Sequence, residues 1–202
     1  LDAVGGDITQ TPRFKEWFGD SKIVDPGGNP VVVYHGTKYD IEAFRHSWDE
    51  RADAEKSGPR GMYFSADPLV ARTYAGHISL PHTKAAIGDA GPHMYPVYLS
   101  LQNPKVVKDP AFWEEMKARF KDAKGGRADV RRGIYERQRR LRASTAFLRA
   151  SEIQELEAQG YDGIVNETAN EIIAFQPTQI KSQMNRGAFD PADPNILNQQ
   201  SP

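Results

Sequence analysis

Apolar residues in this chain fall into short clusters separated by polar, glycine- and proline-rich stretches. Thr11-Pro12 sets a side-chain cap before proline at the first helical position, which predicts a helix to about Phe18 that stops at Gly19. Residues 22–25 and 31–34 flank Pro26-Gly27-Gly28-Asn29 and read as two short strands about a hairpin turn. Val31-Val32-Val33-Tyr34 is apolar throughout, as a buried strand is, and runs directly into His35-Gly36-Thr37. Residues 45–60 are polar and read as a mobile loop, and 61–65 as a second strand. Asp67-Pro68 repeats the cap signal and predicts a helix to about Ala75, ending at Gly76.

Further on, 94–101 predicts a third strand and 111–123 and 128–142 predict helices. Ser151 is expected to cap a helix ending at Gly160. Residues 162–165 and 171–175 are the last clear strands, with Ile180 opening another. The tail from Asn185 shows little periodicity and is expected to lie extended on the surface or disordered. Short strands mixed irregularly with helices favour an α+β fold over a doubly wound sheet.

The length of 202 residues suits one domain, expected to span 1–202, with a basic helical insertion at about 105–150 and an extended tail at about 185–202. A net charge of -1 gives no whole-molecule attraction to nucleic acid or membrane. That near-neutrality hides an asymmetry, because residues 117–149 hold 12 lysines and arginines against 3 acidic residues. This segment is expected to recruit an acidic partner, with a solvated helix face as the plain alternative. The chain has no cysteine, which removes disulfides, thiolate nucleophiles and cysteine-ligated zinc and suits a cytoplasmic setting. No secretory signal pattern or transmembrane run occurs, and the first residue, Leu1, suggests a piece of a longer protein.

Phosphate-cradling and Rossmann glycine patterns, zinc-protease motifs and nucleophile elbows are all absent. His77 and His82 are five apart and miss the spacing of a helical metal pair, so no metal is expected. His35 at a strand end, Tyr63 in a second strand, Tyr74 eleven residues later and Glu171 opening a third strand are each unremarkable alone.

Together they resemble a known family. Tyr34-His35-Gly36-Thr37, then Gly61-Met62-Tyr63-Phe64-Ser65 with Tyr74, then Asn170-Glu171-Ile172-Ile173-Ala174-Phe175 are similar to the three motifs of the H-Y-E ADP-ribosyltransferases, the group of poly(ADP-ribose) polymerases and diphtheria-like toxins. Phe14-Lys15-Glu16-Trp17-Phe18-Gly19-Asp20-Ser21, Gly160-Tyr161-Asp162-Gly163-Ile164, Pro177-Thr178-Gln179-Ile180-Lys181-Ser182 and the tail 185–197 resemble the ADP-ribosyltransferase domains of phage polyvalent and bacterial polymorphic proteins. The resemblance implies a split pair of small antiparallel or mixed sheets flanked by helices, with NAD as co-substrate in the cleft between them and a macromolecular acceptor for the ADP-ribose.

By the same resemblance Glu171, His35 and Tyr63 are the catalytic set, and His35, Gly36, Thr37, Tyr63, Tyr74 and Arg60 bind NAD. Glu171 would stabilise the cation that forms as nicotinamide leaves, His35 would hold the adenosine ribose, Tyr63 would support the nicotinamide half, and Tyr74 would stack on the nicotinamide ring. Gly36 would let its backbone approach the carboxamide. Arg60, with Arg51 and Lys56, would reach the pyrophosphate from a lid at 45–60. Nicotinamide in NAD already carries positive charge and leaves without a general acid, through an oxocarbenium-like state. One carboxylate about 4 Å away, at an effective dielectric near 20, stabilises that state by about 4 kcal/mol. That is roughly a thousandfold in rate.

Two positions depart from relatives. Ala71 stands where polymerase-type members carry serine, and Ala169 stands where arginine-modifying relatives carry glutamate or glutamine, which makes arginine a less favoured acceptor. The alternatives are an inactive binding module of the same fold, a tRNA 2′-phosphotransferase-like enzyme, which the terminal Glu171 disfavours, and a structural or nucleic-acid-binding module.

Overall fold

The computed structural model describes residues 7–37, 39–44, 61–77, 93–108, 150–167, 170–185 and 187–197. The segment 45–60, Arg60 with it, and the basic stretch 117–149 with its expected helices lie outside the described residues.

Helix α1 (Pro12–Phe18) forms as its signal predicts, since the Thr11 hydroxyl accepts the Phe14 amide at 3.2 Å and Gly19 stops the helix at a φ of 54°. Phe14, Trp17 and Phe18 face inwards, and the Trp17 indole donates to the Thr178 carbonyl at 3.1 Å. The next turn closes on Asp25, whose carboxylate takes the amides of Gly27 and Asn29. The expected strand at 22–25 reduces to a single bridge, Val24 to Pro30, with the Val31 amide donating to the Ile23 carbonyl and the Lys22 amide turning instead to the Leu101 carbonyl.

Among the described residues, seven strands make two sheets. The first orders β1 (Val33–Thr37), β3 (His93–Leu99) and β7 (Ile180–Ser182), all antiparallel. The second orders β2 (Met62–Phe64), β6 (Glu171–Ala174), β5 (Gly163–Asn166) and β4 (Pro104–Val107), with β4 parallel to β5. This is the α+β pair of small sheets that the sequence implies. Strand β4 corrects the reading of residues from 105 onwards as helical. Val106 and Val107 are β-branched, and Pro104 sits at a strand start on the sheet edge, where a missing N–H is tolerated.

Helix α2 (Pro68–His77) is capped as predicted, with the Asp67 carboxylate accepting the Leu69 amide at 2.8 Å. Helix α3 (Ala150–Ala158) starts before Ser151, which therefore lies in its first turn and is not its cap. Its Ile153 and Leu156 pack with Ile164, Ile173 and Phe175 beneath the second sheet. Between the two sheets lies the main core, with Val33, Phe44, Met62, Phe64, Val97, Leu99, Ile172, Ile180 and Ile196.

The tail contradicts the expectation of a peripheral segment. Phe189 is buried edge-on against Phe14, with ring centres 5.0 Å apart, and Ile196 belongs to the main core. The order comes from Asp190-Pro191-Ala192-Asp193-Pro194-Asn195, where Asp190, Asp193 and Asn195 each accept the amide two residues on. These side-chain turns fix a chain that has neither helical nor strand period. Phe189→Ala should therefore cost about 3 to 5 kcal/mol, as for a fully buried aromatic ring. Thermal unfolding checks this, and a melting point equal to wild type would return the tail to the surface.

Candidate active site

Strand β1 carries the first predicted group. Alternation puts His35 on the inner face of the first sheet, where its ring meets Phe44 edge-on at 5.0 Å and Phe64 at 5.6 Å. Its Nδ1 lies 2.7 Å from the Tyr63 carbonyl. A carbonyl oxygen only accepts, so Nδ1 carries the proton and donates. Burial pushes the His35 pKa below its ordinary value, partly offset by that hydrogen bond. The ring is thus a neutral imidazole whose Nε2 keeps a lone pair for a donor such as a hydroxyl.

Strand β2 stands beside β1 through one antiparallel bridge. The Tyr34 amide donates to the Ser65 carbonyl at 2.8 Å, and the Ser65 amide donates back at 3.0 Å. Ser65 is buried, and its hydroxyl accepts the Asp67 amide at 3.1 Å, so the same residue leads into the cap of α2.

On its other side β2 pairs β6, with Tyr63 opposite Ile173 and Phe64 opposite Ile172. One step further along this register Ser65 comes level with Glu171. Tyr63 and Glu171 then share a face as diagonal neighbours, about 7 Å apart in an antiparallel pair. Glu171 is 5% exposed and pairs across the hairpin with Asn166. Before it stands Asn170 at a φ of 53°, a left-handed conformation that asparagine tolerates better than most side chains and that turns the chain into β6.

Gly36 has a role that the sequence reading missed. A Cβ there would lie 1.8 Å from the Ala71 carbonyl oxygen and 3.0 Å from the Ala75 amide, so α2 rests directly on the β1 backbone. Ala71 and Ala75, four apart on one helix face and both buried, are the signal that could have revealed this contact. The residue at 71 is thus part of a close helix–strand packing, whichever hydrogen bond a serine would make in relatives. Tyr74 lies on this helix, and its side chain is outside the described residues. Thr37 ends β1, with its hydroxyl accepting the Tyr39 amide at 3.2 Å. Phe44 was not singled out from sequence, since nothing local marks it, and Ser65 was read only as the end of the second motif.

The structure thus brings His35, Gly36, Thr37, Tyr63 and Glu171 to the junction of the two sheets, with the helix that bears Tyr74 against it. Among the described residues no group of three or more histidines, aspartates or glutamates is placed to hold a metal, and no helix is long and apolar enough to cross a membrane. A family profile described as ADP-ribosyltransferase in polyvalent proteins matches residues 25–189. The chain belongs to that family of ADP-ribosyltransferases. The match begins at the turn before β1 and takes in all three motifs. No curated protein and no solved structure matches the chain. As an ADP-ribosyltransferase it is a transferase, in a class that uses NAD as co-substrate.

Two outcomes follow for this ADP-ribosyltransferase. Gly36→Ala should lose about 3 kcal/mol or more, because the new methyl overlaps a helix carbonyl that cannot give way locally. Chemical denaturation measures this, and unchanged stability would mean that α2 does not lie on β1. The second concerns acid. A depressed His35 pKa means that the unfolded chain binds the proton more readily, so stability present above about pH 6.5 is lost as pH falls through the folded value. Urea midpoints at about pH 7 and pH 5 should drop more for wild type than for His35→Gln. Equal drops would contradict the buried neutral imidazole.

Proposed function

We propose that this domain binds NAD at the sheet junction, cleaves the nicotinamide–ribose bond and passes ADP-ribose, as a single unit, to a macromolecular acceptor. The observation that carries the reading is that the strands bearing Glu171, Tyr63 and His35, far apart in sequence, meet at the Tyr34–Ser65 bridge. His35 Nε2, as an acceptor, takes a hydroxyl of the adenosine ribose. Tyr63 supports the nicotinamide half, and Tyr74 on α2 stacks on the nicotinamide ring. Glu171 stabilises positive charge at the anomeric carbon and orients the ribose hydroxyl as nicotinamide leaves. Water in place of the acceptor gives NAD hydrolysis as a side reaction. Thr37 and Arg60 complete the NAD contacts. The basic stretch 117–149 draws in an acceptor or partner rich in phosphate or carboxylate.

Glu171→Gln keeps shape and removes the charge. Release of nicotinamide from NAD should fall by about a hundredfold or more while calorimetric NAD affinity stays within a few-fold of wild type. Near wild-type turnover would remove Glu171 from the chemistry.

A further inference from the structure

Beside the hydrogen bond to the Tyr63 carbonyl, the His35 imidazole meets Phe44, whose ring stands edge-on to it at 5.0 Å and also contacts Phe64 at 5.4 Å. Phe44 itself lies in neither helix nor strand. The tail holds the residues just before it. The Ile196 amide donates to the Glu42 carbonyl at 2.9 Å, and Asn195 bridges Ala43 in antiparallel fashion. At the other end the Tyr95 hydroxyl accepts the Ile41 amide at 2.8 Å, and Tyr95 is the cross-strand partner of His35.

The tail is held in turn by β7. The Ser182 amide and the Asn185 side-chain amide both donate to the Ile196 carbonyl, at 2.9 and 3.0 Å. The tail starts on the outer face of the first sheet, where Phe189 meets Tyr98 and Phe14, and rounds the edge of β7 to place Ile196 in the inner core. On that outer face lies Lys181, opposite Tyr98 in register and 0% exposed. Its amine donates to the carbonyls of Asp193 and Asn195.

A buried amine is an expensive way to fill space, since an ammonium loses its hydration unless every direction is satisfied. Burial lowers its pKa, and the carboxylates of Asp193 and Asp190 pull it back. An apolar side chain would suit a merely packed position better. A cation that grips two carbonyls at once does what no apolar side chain does. It fixes the stretch of tail that pins residues 42–43.

We propose that Lys181 is a positioning residue for the active site, acting through the C-terminal strap: the amine fixes Asp193 and Asn195, the strap fixes Glu42 and Ala43, and Phe44 then sets the plane of the His35 imidazole. The consequence for catalysis rests on the reading of His35 as an NAD contact. The strap contacts ground state and transition state alike through His35, so its loss raises KM more than it lowers kcat.

The experiment is Lys181→Met in the full chain, with two readouts below its melting temperature. In wild type the His35 imidazole nitrogens should show one fixed neutral form, protonated at Nδ1. In the variant the nitrogen resonances should move towards averaged tautomers. KM for NAD should rise about tenfold with kcat within about twofold. A folded variant with wild-type His35 resonances overturns the strap proposal, whatever its kinetics. Shifted resonances with an unchanged KM, matched by an unchanged KM in His35→Ala, uphold the strap and overturn the NAD assignment of His35 instead. Should Lys181→Met fail to fold, Asn185→Ala loosens the same strap at the Ile196 carbonyl and is read by the same two measurements.

Discussion

Two backbone hydrogen bonds between Tyr34 and Ser65, with the bond from His35 Nδ1 to the Tyr63 carbonyl beside them, join sheets that also share a core of side chains. Such a bridge fixes relative position to a few tenths of an ångström, where side-chain packing alone permits sliding. Its residues are one step from His35 on one strand and two from Tyr63 on the other, and Ser65 is level with Glu171 on the third. Three chain segments more than twenty residues apart thereby meet at one point. Ser65 also starts the cap of α2, so the helix bearing Tyr74 is referenced to the same point. A site proposed to hold a dinucleotide at both ends needs this kind of rigid reference, since small displacements of positioned groups are costly in rate.

The surroundings of the junction complement its chemistry. His35 is buried between two aromatic rings and neutral, which makes its free nitrogen an acceptor rather than a competing positive charge. In the proposed reaction a second cation there would oppose the one that develops on the ribose. Glu171 sits in a buried position at the start of a central strand, where field lines are less screened than at the surface. Gly36 lets α2 rest on the strand itself, which brings the second-motif helix as near to the first motif as backbone atoms allow.

The elements with strong local signals were legible in the sequence. Thr11-Pro12 and Asp67-Pro68 marked both helix starts, and the β-branched and aromatic runs marked β1, β2, β3 and β6. Strand β4 was hidden because it pairs in parallel with a strand some sixty residues on, which leaves no hairpin turn nearby, and because Lys105 and Lys108 blend it into a basic segment. The tail was hidden for a different reason. Periodicity detects helices and strands, whereas Asp190, Asp193 and Asn195 order the chain through turns at irregular spacing. Of the site residues, His35, Tyr63 and Glu171 were visible through their resemblance to a family and not through any property of each alone. Gly36 was found for one reason and is required for another, because a glycine's neighbours across space are not written beside it. Phe44 gave no signal, since its role depends on a tail 150 residues downstream.

In the proposed function, one junction of two sheets holds both ends of NAD. A crystal structure of the Glu171→Gln protein with NAD tests it most directly. The nicotinamide ribose should lie within hydrogen-bond reach of residue 171, the nicotinamide ring against Tyr74 and a hydroxyl of the adenosine ribose on His35 Nε2. Density for NAD at any place away from the Tyr34–Ser65 bridge would contradict it.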